Sequence, residues 1–323
     1  MDMHGRVITV FGGTGAIGRP LVGALAGRGA RVRVAVRDVE RAHPLKPLGA
    51  VGQIAPVVAS ITHPDSVRRA VEGADAVVNL VGILAESGRN TFEAIHAQGA
   101  ATVARAAAEA GASALVHMSA LGADDNGKAE YARTKAQGES LVRSAFPTAA
   151  IIRPSVVFGP DDKFFNLFAG MTRFSPVLPY FDRGATGSPR FQPVYVGDVV
   201  AAMVRLLEEP GLRGRVHELG GPGVYSMKEI MELVARETRR PVRVIRLPFS
   251  AARLQALVLG RLPNPLITLD QVALMETDNV LSGTLPGLGD LGIEPQAVEA
   301  LLPEQLARFR PLHRHVILRK PSR

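Results

Sequence analysis

Along its first half the chain alternates between two hydrophobic rhythms. Short, mostly apolar runs bounded by turn residues read as strands buried on both faces. They fall at Ile8–Phe11, Val32–Val36, Val57–Ala59, Ala76–Val81, Ala114–Met118 and Ala149–Arg153, the last ended by Pro154. Between them, apolar residues recur at three- and four-residue spacing, the signature of amphipathic helices. One helix follows Gly18, one runs from His63-Pro64-Asp65 to Glu72, one covers Thr91–Ala110 and stops at Gly111, and one runs from Tyr131 to about Ala145. Strand and helix in strict turn predict an α/β fold with a parallel sheet wrapped on both faces. The rhythm breaks after Phe158-Gly159-Pro160, where Pro176, Pro179, Gly184, Gly187 and Pro189 crowd together as loops of a second lobe. Further strands are expected at Phe191–Val196 and Val216–Leu219, with helices at Val199–Glu208 and Ser226–Arg236.

The first strand runs directly into Gly12-Gly13-Thr14-Gly15-Ala16-Ile17-Gly18 and then into a helix. A tight glycine turn in that setting aims backbone N–H groups and a helix N-terminus at an anion, here the pyrophosphate of a dinucleotide. The expected fold is therefore a Rossmann-type, doubly wound parallel sheet with a smaller C-terminal α/β lobe. Residues 1–155 would form the nucleotide domain and 156–323 the second lobe, with 191–220 returning to the first sheet.

The end of the second strand selects the nucleotide. An acid there accepts from the adenosine ribose and favours NAD. Here Val36 occupies that place, followed by Arg37, which can clamp a 2′-phosphate through charge-assisted bonds. Asp38 falls one or two positions late, in the loop, so the expected cofactor is NADP(H).

Composition narrows the classes. A chain of 323 residues with 46% hydrophobic and 21% charged content has material for a large core and is not of the disordered type. With no cysteine, it offers no disulfide, thiolate nucleophile or zinc–cysteine site, and fits a reducing compartment. Met1–Arg6 is too short for a signal peptide, and no apolar run is long enough to cross a bilayer. The eight histidines form no metal pattern, so no metal site is expected. Net charge is +8, with Arg308, Arg310, Arg314, Arg319, Lys320 and Arg323 gathered at the C-terminus and no acid after Glu304. Only 5% of residues are aromatic and none is Trp, which argues against nucleic acid and leaves an anionic membrane or a solvated tail.

Tyr131 and Lys135 lie four residues apart on the helix after the fifth strand, hence on one face. A neighbouring ammonium can lower a tyrosine pKa enough for acid–base work, and the same lysine can hold the nicotinamide ribose.

These residues, with Asn79-Leu80-Val81-Gly82, Arg153-Pro154-Ser155-Val156-Val157-Phe158-Gly159-Pro160 and Phe191-Gln192-Pro193-Val194-Tyr195-Val196-Gly197-Asp198-Val199, resemble the extended or atypical short-chain dehydrogenase/reductases over essentially the whole chain. Within them the chain more closely resembles the nucleotide-binding accessory subunits of respiratory complex I and their bacterial relatives. Val34-Ala35-Val36-Arg37, Phe164-Phe165-Asn166-Leu167-Phe168 and Leu285-Pro286-Gly287-Leu288-Gly289-Asp290-Leu291-Gly292-Ile293 carry that likeness. The resemblance implies a firmly held NADPH, partner subunits of complex I, and a cytoplasmic place at the periphery of the respiratory inner membrane. It also implies that Asn79, Leu80, Val81 and Gly82 take the adenine side, Tyr131 and Lys135 the ribose, and Pro154, Ser155 and Val156 the nicotinamide through backbone groups.

Departures from the catalytic pattern of such enzymes are as informative. Ala120 stands where a Ser or Thr would orient a substrate carbonyl, with Ser119 one residue early and facing away. Ser60 replaces an aspartate that often holds the adenine, and His96 an asparagine that braces the active-site helix. A cofactor binder with little or no turnover is expected. The alternative is an active NADP-dependent reductase or epimerase on an apolar carbonyl, a quinone or a sugar nucleotide, with Tyr131, Lys135 and Ser119 catalytic. A nucleotide-sensing regulator is a third reading. Finally, Ala251–Arg261 reads as a basic, apolar helix carrying Leu254, Leu257 and Val258 on one face, which lines its own lobe or meets an interface.

Overall fold

The computed structural model describes residues 2–184, 187–259 and 268–311. In chain order the first lobe contains β1 (Val7–Phe11), α1 (Gly18–Gly27), β2 (Arg31–Val36), β3 (Ile54–Val58), α2 (Pro64–Val71), β4 (Ala76–Asn79), α3 (Ala100–Glu109), β5 (Ala114–Met118), α4 (Glu130–Ala145) and β6 (Ala150–Pro154). Then follow β7 (Val157–Phe158), α5 (Phe164–Met171), β8 (Val177–Asp182), β9 (Arg190–Phe191), β10 (Val194–Tyr195), α6 (Val196–Glu208) and β11 (Val216–Leu219). The chain continues through β12 (Tyr225–Ser226), α7 (Met227–Thr238), β13 (Arg243–Pro248), α8 (Phe249–Leu259), α9 (Leu269–Met275) and α10 (Val298–Gln305).

Seven strands form one sheet in the order β3-β2-β1-β4-β5-β6-β11, all parallel. Strand order reverses between β1 and β4, and the crevice at their carboxyl ends is where such sheets take ligands. Side-chain alternation builds two cores. Ile8, Val10, Val34 and Val116 face Leu21 and Leu25 of α1 and Val199, Met203 and Leu206 of α6. Phe11, Val77 and Leu115 face Val67 and Val71 of α2, Val103 and Ala107 of α3, and Val142 of α4. The second lobe has its own core of Phe158, Phe165, Leu178, Phe191, Ile230, Met231, Leu302 and Leu306.

Of residues 191–220, β11 joins the large sheet beside β6, and α6 packs on its face. β9 and β10 instead make short pairs with β12 and β7. The single strand expected over Phe191–Val196 is thus corrected. Pro193 has no N–H to continue a ladder, and α6 begins at Val196. The long helix expected over Thr91–Ala110 opens as a π-helical segment, Glu93–Gly99, before α3. Here the backbone of α4 comes so close that a Cβ on Gly138 would collide with the His96 carbonyl oxygen.

Ala252 and Ala256 of α8 are buried with Val272, whereas Leu254 and Leu257 face solvent. The side chain of Val258, Arg261, and the basic positions Arg314, Arg319, Lys320 and Arg323 lie outside the described residues. Among the described residues no helix is long and apolar enough to cross a membrane, and no cluster of ligating side chains could hold a metal.

Candidate functional site

The glycine turn is built so that nothing larger fits. Gly12 sits at φ +80°, the left-handed region, and a Cβ there would come within 3.1 Å of the Leu80 carbonyl carbon beyond β4. A Cβ on Gly13 would lie 2.8 Å from Val34 Cγ1, and one on Gly18 would collide with the Gly12 carbonyl oxygen. Helix α1 is therefore seated directly on the turn. The Gly15 N–H donates to the Gly12 carbonyl at 3.0 Å, while those of Thr14, Ala16 and Ile17 have no acceptor among the described residues. Unspent donors at a helix N-terminus fit a pyrophosphate.

A cleft of about 230 Å³ opens beside this turn. Its walls are Phe11, Gly12 and Thr14 at the end of β1, Ala35–Asp38 at the end of β2, Ala59–Ile61 after β3, and Val81–Ile83 after β4. Arg37 stands at the rim, and Arg41 stands with it. The sequence pattern did not single out Arg41. Its signal was the four-residue spacing from Arg37 into a short helix, Val39–Leu48, that Asp38 caps by accepting from the Glu40 N–H at 3.1 Å. That capping bond engages Asp38 locally. Ser60 lines the cleft and shares a hydrogen bond with Thr62 (2.9 Å).

Asn79 requires a correction. It is buried, its amide oxygen accepts from the Val81 N–H at 3.1 Å, and its Nδ2 faces His117 Nδ1 at 3.3 Å. Its side chain shapes the end of β4 and does not line the cleft. Leu80 likewise packs on the core beside Gly12, leaving Val81 and Gly82 as the lining pair.

Tyr131 and Lys135 share one face of α4. The tyrosine ring is half-buried and meets Phe92 and His96 edge-on, with centroids 5.9 and 5.0 Å away. Lys135 is buried, donates to the Met118 carbonyl at 3.1 Å and lies 5.8 Å from the tyrosine ring centre. Its Nζ would be only 3.3 Å from a Cβ on Gly82, so that glycine makes room for the ammonium. Burial lowers Lys135 to about 8, against the opposing pull of Glu139. Tyr131 moves the other way from expectation: burial, and then the Asp270 carboxylate, push it up to about 12. Loss of hydration outweighs the nearby cation.

His96 does the bracing that an asparagine would. Its Nε2 accepts from the Ile83 N–H at 3.1 Å and its Nδ1 meets the Thr134 hydroxyl at 3.2 Å, tying the loop after β4 to α4. Burial, and secondarily Lys135, hold it neutral with its pKa down to about 3.

The Ser119 hydroxyl donates to Glu139 Oε1 at 2.5 Å, and Arg153 grips the same carboxylate at 2.7 and 2.8 Å. Ser119 is thus withdrawn from the catalytic role given to it in the reductase reading, and Ala120 offers no hydroxyl. The Pro154–Val156 segment also departs from expectation. The Ser155 N–H donates to Leu219 O (2.8 Å), and the Ser155 hydroxyl (2.7 Å) and Val156 N–H (3.2 Å) both donate to Asn279 Oδ1. The backbone donors proposed for the nicotinamide are already satisfied within the chain.

Known proteins align with this geometry. The chain is 34% identical to the mouse mitochondrial NADH dehydrogenase [ubiquinone] 1 alpha subcomplex subunit 9, across 96% of this chain and 82% of that protein. It is 33% identical to a ceramide reductase of Caulobacter vibrioides, across 75% and 74%. A Thermus thermophilus UDP-glucose 4-epimerase, solved with NAD, superposes with a TM-score of 0.70 over 95% of this chain and 99% of that one. At 19% identity that likeness establishes the fold. The profile of the NAD dependent epimerase/dehydratase family matches residues 8–220. The chain belongs to that family, and its cofactor is a nicotinamide dinucleotide.

Proposed function

We propose that this chain holds NADP(H) as a retained structural ligand, with little or no hydride transfer, and serves as an accessory or assembly subunit of respiratory complex I. The residues from Gly12 to Gly18 hold the pyrophosphate, Arg37 and Arg41 the 2′-phosphate, Val81 and Gly82 the adenine side, and Tyr131 and Lys135 the ribose hydroxyls. The observation that carries this reading is the bond from Ser119 to Glu139: the one hydroxyl near the catalytic position is spent inside the protein, while the phosphate cradle keeps its donors. A tyrosine pushed up to about 12 is a poor base at neutral pH. The likeness to the mouse subunit along almost the whole chain supports the partner assignment. The basic C-terminal sequence supports a place on the cytoplasmic side, against an anionic respiratory membrane.

The test has two arms. On a native gel of respiratory membranes the protein should co-migrate with the assembly, and heat-released nucleotide should be NADPH in equimolar amount. Rapid mixing of the loaded protein with ketones, quinones and 3-ketosphingolipids should leave nicotinamide absorbance unchanged. Turnover that Tyr131→Phe abolishes would establish the reductase reading instead, to which the kept Tyr131–Lys135 pair and the ceramide reductase likeness both point.

A further inference from the structure

Residues 268–279 lie against loops at the carboxyl ends of the central strands, bonding to Leu84, Leu121, Glu130, Tyr131, Ser155 and Val156. They touch the segment that follows each of β4, β5 and β6, where the nicotinamide end of a dinucleotide lies in this fold. Thr268 caps α9 in a reciprocal box with Gln271. Gln271 Nε2 also donates to the Leu84 carbonyl beyond β4 at 3.1 Å. The Asp270 carboxylate accepts from the Glu130 and Tyr131 N–H groups at 2.5 and 3.2 Å, capping α4 from 140 and 139 residues away. At the far end Asn279 accepts from the Ser155 hydroxyl and the Val156 N–H through its side chain. Asp278 anchors the approach to Asn279, accepting from Arg183 (2.8 Å) and Arg190 (2.9 Å).

What holds this segment is polar. Within it Val272 alone is buried. With one fully buried residue, Met275 half-buried, two backbone bonds at Asn279 to Arg190 and Gln192 and otherwise side-chain bonds, the segment opens at lower cost than the seven-stranded sheet. The bonds from Asp270, Gln271 and Asn279 join the segment to Glu130, Tyr131, Leu84 and Ser155 of the nucleotide lobe, so opening there breaks them together.

We infer that residues 268–279 form a latch over the nicotinamide end of the cleft, with Asp270 and Asn279 as its catches, and that its opening sets the rate at which the nucleotide leaves. This rests on the NADP(H) reading above. Bound at the Tyr131 N–H, the latch in this reading would also hinder a second substrate's approach to that residue.

The full chain is loaded with NADPH, and release is followed by nicotinamide fluorescence after a chase with excess NADP⁺. Asp270→Asn and Asn279→Ala should each speed release by about tenfold or more, since such bonds act mainly on dissociation. Because the chain has no cysteine, Leu84→Cys with Gln271→Cys can be joined by a short disulfide-forming cross-linker. The joined form should release NADPH at least about tenfold more slowly than the same protein after reduction. Equal rates for joined and reduced forms, in a protein that binds NADPH tightly, overturn the latch alone. A wild-type chain that takes up no NADPH overturns the nucleotide reading and the latch with it.

Discussion

Ser119 and Glu139 are bound to each other in the interior, one at the end of β5 and the other a third of the way from the end of α4, with Arg153 of β6 closing the trio. The carboxylate is fully buried and Arg153 only partly exposed, so these three side chains weld helix to sheet directly behind Lys135. Ser119→Ala should leave NADPH binding unchanged and cost about 1–2 kcal/mol, because Glu139 keeps its guanidinium. Glu139→Ala strands both partners and should cost about 3 kcal/mol or more. Urea unfolding of the two variants measures the difference; a large loss of cofactor in Ser119→Ala would restore that residue to the site.

Discrimination between nucleotides should reside in two arginines. Arg37→Ala or Arg41→Ala removes one charge-assisted contact to a 2′-phosphate, weakening NADPH by about 10- to 100-fold while NADH binding stays level. Calorimetry with both nucleotides decides it. Equal loss for NADH and NADPH would show that the pair serves something other than the extra phosphate.

The seat of α1 on the glycine turn tolerates no methyl group. Gly18→Ala puts a Cβ onto the Gly12 carbonyl and Gly13→Ala presses on Val34. Each should cost about 1–3 kcal/mol by overpacking and abolish nucleotide retention. A thermal melt with and without NADPH reports both effects; ligand stabilisation that survives in Gly18→Ala contradicts the geometry.

Acid should unfold this protein earlier than its carboxylates alone would require. Burial, and then Lys135, depress His96 and His117 from 6.5 to about 3. The unfolded chain therefore takes up protons below 6.5 that the folded one refuses, and stability falls as pH drops from about 6.5 toward 3. Each histidine contributes a slope of up to roughly 1.4 kcal/mol per pH unit. His117→Gln removes one titrating group, so its denaturation midpoint should decline less steeply with acid. An unchanged slope would mean that His117 takes up protons alike in the folded and unfolded chain.

Lys135 imposes the same sign at the alkaline end. With its pKa at about 8 folded and 10.5 unfolded, the cost of burying the ammonium is full below 8 and relieved as pH rises toward 10.5. Lys135→Met should remove that gain in stability between the two values, as read from urea midpoints across the range.

Much of this was legible in the sequence for local reasons. β5 and β11 are short segments with apolar ends closed by turn residues, and their bounds fall where the pattern put them. The glycine turn was legible because its spacing encodes a contact within seven residues. What stayed hidden depends on distance along the chain. Asp270 and Asn279 reach partners 140 and 124 residues away, and nothing in their own neighbourhoods announces it. Asn79 was assigned to the cleft by its place in a motif, yet burial and His117 turn it inward. Tyr131 was expected to be acidified by Lys135; the depth of the pair, which no spacing reveals, reverses the direction.

The cap that Asp270 places on α4 bears on how the molecule can be divided. A fragment ending near residue 156 would carry every strand of the dinucleotide fold except β11, yet the first amides of α4 and the Ser155 hydroxyl would lose their acceptors and Ser155 its neighbour strand. The amino-terminal half is thus no excisable cassette. Trimmed, it would be left with its tyrosine-bearing helix fraying from the first turn.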